Sequence, residues 1–258
     1  MDPVFAASLF AVTLFLGMLL LLEVGRRIGI RRIVKEAEGA RAGVAAVEGA
    51  VFGLLGLLIA FTFSGAASRF DMRRHLIVEE TNAIGTAYLR LDLLPADAQP
   101  ALRESFRRYV DARLAVYRKI PDIAAVKAEL AKVTKLQGEI WTQALAACRE
   151  GGSQPAIMLL LPALNQMIDI TTTRTMATQM HPPTIIFAML GGLALLSALL
   201  AGYGMAGGTT RNWIHMLGFA AIMAVTVYVI LDIEFPRLGL IRVDAFDQAL
   251  VELRESMQ

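Results

Sequence analysis

The chain predicts an all-α integral membrane protein: four spanning helices, with a helical bundle inserted outside the membrane between spans 2 and 3. Three observations carry that class. Four apolar runs, Val4 to Leu22, Val44 to Gly65, Thr184 to Ala206 and Trp213 to Ile233, each lie near the roughly twenty residues a spanning helix needs. The composition is 56% hydrophobic and 19% charged, with a mean hydropathy of +0.55, which is too apolar for an ordinary soluble domain. No stretch carries the alternation of apolar and polar residues that marks a strand.

The first run is read as a retained span and not as a signal peptide. Acidic Asp2 precedes it, no basic segment leads into it, and Glu23 follows it where a cleavage site needs small residues. The short loop after it holds Arg26, Arg27, Arg31, Arg32, Lys35 and Arg41 against Glu23, Glu36 and Glu38, so the loop is expected in the cytoplasm. The N-terminus, the long insertion and the acidic tail from Asp232 then fall outside the cytoplasm of a bacterial inner membrane. Arg69, Arg73 and Arg74 just after the second span oppose this orientation, but long segments translocate largely regardless of charge.

Four segments follow from these spans: residues 1–68 with spans 1 and 2, a bundle over 69–181, spans 3 and 4 over 182–235, and an amphipathic tail over 236–258. Within the bundle, Leu94-Pro95 closes the extension of span 2, and Asp97 is placed to cap a helix running to about Lys119. Its apolar face is Leu102, Phe106, Tyr109, the stem of Arg113, and Tyr117. Asp122 caps the next helix, whose heptad column is Ile123, Val126, Leu130, Val133, Gln137, Ile140, Ala144 and Ala147, ended by Gly151-Gly152. A further helix runs from about Pro155 to Met180, bent at Pro162 and stopped by His181-Pro182-Pro183. The tail closes with a helix through Phe246, Ala249, Leu250 and Leu253.

The run from Val44 to Leu94 has no internal Pro, so one helix of about 75 Å would cross the bilayer and extend well beyond it. Two faces separate along it. Gly49, Gly56, Phe63, Phe70, Ile77, Ile84 and Leu91 recur every seventh residue and form a packing seam, small in the membrane half and large outside. Ser64, Ser68, Asp71, His75, Glu79, Asn82 and Thr86 fall within an arc of about 80° at 100° per residue, a polar ribbon that begins inside the bilayer. Such a ribbon suits the wall of an aqueous pathway, and a solvated bundle face accounts for its outer members equally. Glu48, acidic within a span, sits in the first turn, where a helix end tolerates it.

The remaining motifs point to packing. Gly202-Tyr203-Gly204-Met205-Ala206-Gly207 fits a dinucleotide fingerprint in letters, but it ends a membrane span instead of joining a strand to a helix. His75, His181 and His215 are dispersed, and only His75 has acidic neighbours at helical spacing, Asp71 and Glu79. Cys148, the single cysteine, reads as a small buried residue on the outer side. A net charge of +2 without a block of like charge argues against nucleic acid. No nucleophile elbow, phosphate loop or apolar carboxylate pair points to an enzyme, and neither a cofactor nor a metal is called for.

The run RRHLIVEETNAIGTAYLRLDLLP, then RRYVDARLAVY, then LDIEFPRLGLIRVD, resembles the bacterial membrane proteins grouped as a bestrophin-like domain family of unknown function. The resemblance extends from Val44 to about Val243. It implies four spans with a helical insertion and a relation to pentameric anion channels, and it supplies no catalytic residue. The expectation is a homo-oligomer in a lipid bilayer that forms or regulates an ion pathway along the ribbon. The alternative is a non-conducting sensor or interaction module whose bundle binds an envelope protein.

Overall fold

A computed structural model describes residues 3–33, 38–151, 153–207 and 211–257, with the side chains of 33 and 38–44 outside the description. The loop charges Lys35, Glu36, Glu38 and Arg41, together with Asp2 and Gly152, therefore lie outside the described residues or side chains. All regular structure among the described residues is helical: α1 (Pro3–Ile33), α2 (Glu38–Leu89), α3 (Gln99–Arg118), α4 (Ile123–Gly151), α5 (Gln154–Ala177), α6 (Thr184–Gly204), α7 (Trp213–Glu234) and α8 (Gln248–Ser256). Short 3-10 turns follow α2 and α6 and precede α8. The chain divides into two compact units, residues 1–68 with 181–240 and residues 69–180 with 241–258, and α2 contributes to both. The tail after residue 240 thus belongs with the helical bundle.

In the first unit α1 packs on α6 and α7. The pairing of α1 with α6 depends on small residues that let two backbones meet. A β-carbon on Gly25 would stand 1.9 Å from the Leu199 carbonyl oxygen, and one on Gly202 would stand 2.0 Å from the Leu22 carbonyl oxygen. Gly29 faces Tyr203 and Ala206 in the same way. Asn212 caps α7 by accepting from the His215 N–H. At the far end of α7, both oxygens of Asp232 accept the Leu240 N–H at 3.0 Å, and the Tyr228 hydroxyl donates to one of them. Gly239 is required in this turn, because a β-carbon there would lie 2.1 Å from the Asp232 carboxylate.

The second unit is built around Leu102, Phe106 and Tyr109 of α3, Val133, Leu136 and Ile140 of α4, and Leu160, Leu164 and Met167 of α5. Ile84 and Leu91 enter from the α2 side and Leu250 from α8. Each such large apolar side chain, once fully buried, stabilises the fold by about 1.5–3 kcal/mol. Asp122 accepts from the Ala125 N–H as a helix cap should, and Ser153 does the same for α5 through Ala156.

Three expectations are corrected. Asp97 does not cap α3: Ala98 occupies that position with helical backbone angles, its N–H bonded to the Pro95 carbonyl, so Asp97 sits inside a turn. Ile123 is exposed, and the heptad column of α4 is fully buried only from Val133 onward, because the first turns project beyond the core. α5 ends at Ala177 and not near Met180, since Arg73 takes the carbonyls of both residues and so terminates the helix. Among the described residues five helices are long and apolar enough to cross a membrane, one more than the four expected; the additional one is α5, the least apolar of them.

Candidate functional site

The polar ribbon and the packing seam occupy different surroundings along α2. Ser64, Ser68, Asp71, His75, Glu79, Asn82 and Thr86 are all exposed. His75 pairs with Glu79 at 3.1 Å, and Asp71 accepts from Arg74 at 3.0 Å. On the seam, Ile77, Ile84 and Leu91 are buried in the second unit. Phe70 is half-buried beneath the Arg74 guanidinium. Phe63 is 44% exposed, and Gly49 and Gly56 have nothing within 4 Å of where a side chain would begin. The membrane half of α2 therefore presents an open face of small and aromatic residues within a single chain.

Behind the ribbon lies a charge cluster that the sequence reading did not single out. Glu80 of α2 and Arg113 of α3 are both 0% exposed and bonded to each other. Arg174 of α5 donates to the other oxygen of Glu80 and also reaches Asp247, 2.9 Å away, before α8. Tyr117 closes the group: Arg113 donates to its hydroxyl, and the Arg174 guanidinium lies 3.9 Å from its ring centroid. Two carboxylates thus balance two guanidiniums, and four separate segments are joined by charge-assisted bonds. One nitrogen of Arg113, Nη1, is buried without a partner. Burial alone would push the Glu80 carboxyl up, but the two guanidiniums outweigh it and hold the group below the ordinary value of 4.5. One helical turn deeper, Tyr109, Thr171 and Gln137 bond to one another across α3, α5 and α4.

A signal for this cluster existed. Glu80 falls on the stripe of Ile77, Ala83, Ile84 and Ala87, and Arg113 falls between Tyr109 and Tyr117, so each charge interrupts an apolar face. A buried carboxylate on one stripe demands a cation on another. Arg174, in the Thr-rich stretch of α5, had no comparable apolar frame.

The other singled-out residues serve local pairing or packing, and Glu48 Oε1 is buried without a hydrogen-bond partner. His181 pairs with Glu234 at 3.4 Å and stacks on Phe235 at 4.7 Å between centroids. Glu48 is half-buried and lies against Gly204, while Gly202 serves the α1–α6 contact, so the Gly-Tyr-Gly segment is helix packing. Cys148 is buried in the bundle core, and burial pushes its thiol up.

Amphipathic and apolar helices in this order, with an ion-linked bundle on the extension of the second, define a helical membrane-type protein. The chain belongs to the Bestrophin-like domain family, whose model matches residues 9–245. Among solved structures it is similar to a bacterial Bestrophin homolog from Klebsiella pneumoniae, in crystals of different single-residue variants. One gives a TM-score of 0.67 at 15% identity, covering 94% of this chain and 98% of that one. Another gives 0.62 at 14% identity, covering 95% and 98%. At such identity the likeness shows the fold. No curated protein matches the chain.

Proposed function

We propose that the protein is a homo-oligomer of the bacterial inner membrane in which α2 lines an ion pathway. The observation that carries this reading is the exposure of all seven ribbon residues on one face of α2. The open membrane half of the same helix, at Gly49, Gly53 and Gly56, supports close approach of a second copy, since small residues let helix backbones meet in lipid. Membership of the Bestrophin-like family supports it further through the implied relation to anion channels. In this reading α1, α2, α6 and α7 cross the bilayer. α5 does not, because it carries Asp169 and Arg174 and buries its apolar face in the bundle core.

The orientation keeps the bundle outside the cytoplasm. Two of the three arginines that oppose it have structural work: Arg73 caps the end of α5, and Arg74 lies between Asp71 and the ring of Phe246. The test is purified protein in liposomes under salt and pH gradients. Ion flux above that of empty vesicles is expected, and its absence in both gradients contradicts the reading. The second reading, an interaction module, draws on Leu89, Leu93, Met158 and Leu159, large apolar side chains exposed on the bundle and tied together by Arg90 donating to the Leu159 carbonyl. It predicts an envelope partner retained by the intact protein and no flux.

A further inference from the structure

The end of α1 carries a cluster of charge that neither the pathway nor the packing uses. Glu23 is the shared acceptor of three guanidiniums: Arg26 at 3.1 Å, Arg27 at 2.8 Å and Arg211 at 2.8 Å. Arg211 arrives from a segment 188 residues away, just before α7. Arg31 and Arg32 are exposed in the last turn of the same helix. Three guanidiniums thus share one carboxylate, and two more follow on the same helix. A single carboxylate fixes where the three forks sit but neutralises only one of them.

The remaining donors face outward. Arg27 bonds Glu23 through Nε alone, so both of its terminal nitrogens stay available, and its side chain is 67% exposed. Beside it, Arg211 lies over Trp213, its guanidinium 5.8 Å from the ring centroid. Trp213 and Ile214 open the apolar helix α7 with exposed side chains, as do Ile28 and Ile30 on α1. Exposed aliphatic and indole groups directly beside fixed guanidiniums are the arrangement found where helix ends meet the headgroup layer.

We infer that Arg27 and Arg211, positioned by Glu23, form a binding site for the phosphate of an anionic phospholipid, with Trp213 against its acyl-glycerol region. Guanidinium forks match phosphate oxygens in pairs, which an ammonium does not. The apolar rim selects a lipid over free phosphate. Since the cluster joins α1 to the turn before α7, an occupied site ties both helices to one leaflet. The inference rests on α1 and α7 crossing a bilayer and is independent of conduction.

The test is native mass spectrometry of the full-length protein in detergent with equal short-chain phosphatidylglycerol and phosphatidylcholine. Wild type is expected to retain phosphatidylglycerol preferentially, and the Arg27→Gln/Arg211→Gln variant to lose about fivefold of that preference for each guanidinium removed. Equal retention of the two lipids by wild type, or an unchanged preference in the variant, overturns the site. Displacement of the lipid by millimolar inorganic phosphate identifies a free-anion site and overturns the lipid assignment. If the variant does not fold, a salt series on wild type decides: the preference must fall as NaCl rises from about 0.1 to 0.5 M, where the screening length shrinks about twofold, and a salt-independent preference contradicts the site. Release of the protein from membranes without detergent would refute the spanning reading itself, whereas a detergent-dependent protein without lipid preference refutes only this inference.

Discussion

Glu80 illustrates why a single buried charge governs the bundle. Its two oxygens hold Arg113 and Arg174, so neutralising it leaves Arg113 without a counter-ion inside the core and Arg174 with Asp247 alone. Glu80→Gln is expected to destabilise the bundle by about 3–5 kcal/mol, the range for breaking one partner out of a buried pair. Denaturant unfolding followed by circular dichroism measures it, and a loss within experimental error of zero would contradict the arrangement. The pH dependence has a fixed sign. The folded carboxyl is held below 4.5, so the unfolded chain takes up the proton first. The stabilisation is therefore complete above that value and is lost as pH falls from it through the lower folded value. In Glu80→Gln the acid sensitivity of this step should disappear. The pairing was half legible in the amino-acid order: Glu80 and Arg113 each break an apolar stripe, but nothing local to Arg174 or Asp247 announces that they meet there.

At the scale of helices, the α1–α6 contact is the most demanding. Gly25 and Gly202 each bring a backbone carbonyl of the opposite helix to about 2 Å from an added β-carbon, well inside any real contact, so the helices themselves must part if a side chain appears. Gly25→Val and Gly202→Val are expected to lower the thermal unfolding midpoint in detergent strongly or to prevent extraction of a monodisperse protein. Gly218→Ala, at a glycine with open surroundings, should leave both unchanged. Gly239→Ala is expected to open the turn held by Asp232, in a segment where the Leu240 N–H depends on that carboxylate. Helices of this length were legible because apolar runs and proline punctuation are properties of local sequence. The Asp97 cap was not, because the turn after Pro95 forms its own backbone bond and shifts the start of α3 to Gln99. Likewise the end of α5 is set by Arg73, which lies more than a hundred residues earlier.

For the whole molecule, the two units divide the chain differently from its linear order, since the last eighteen residues return to the bundle through Leu250 and the Arg254–Asp111 pair. Arg254→Ala, at an exposed pair, should change stability by no more than about 1 kcal/mol, whereas loss of Leu250 should cost about 2–5 kcal/mol. The native thiol is a poor reporter of orientation because Cys148 is buried. A Cys148→Ala, Gly138→Cys protein places the thiol on an exposed site of α4, and membrane-impermeant maleimide should label it on intact cells. Labelling only after permeabilisation would reverse the orientation.

The pathway itself is tested most directly by a thiol at Ser68 in the Cys148→Ala background, reconstituted in liposomes and treated with a charged, membrane-impermeant methanethiosulfonate. If the ribbon lines the pathway, modification of Ser68→Cys changes ion flux in a direction set by the sign of the attached charge, while the same treatment of Ile59→Cys, on the opposite face of the same helix, does not. Flux that is present and unaffected by a modified residue 68, or affected equally at residue 59, would contradict a pathway along this face of α2.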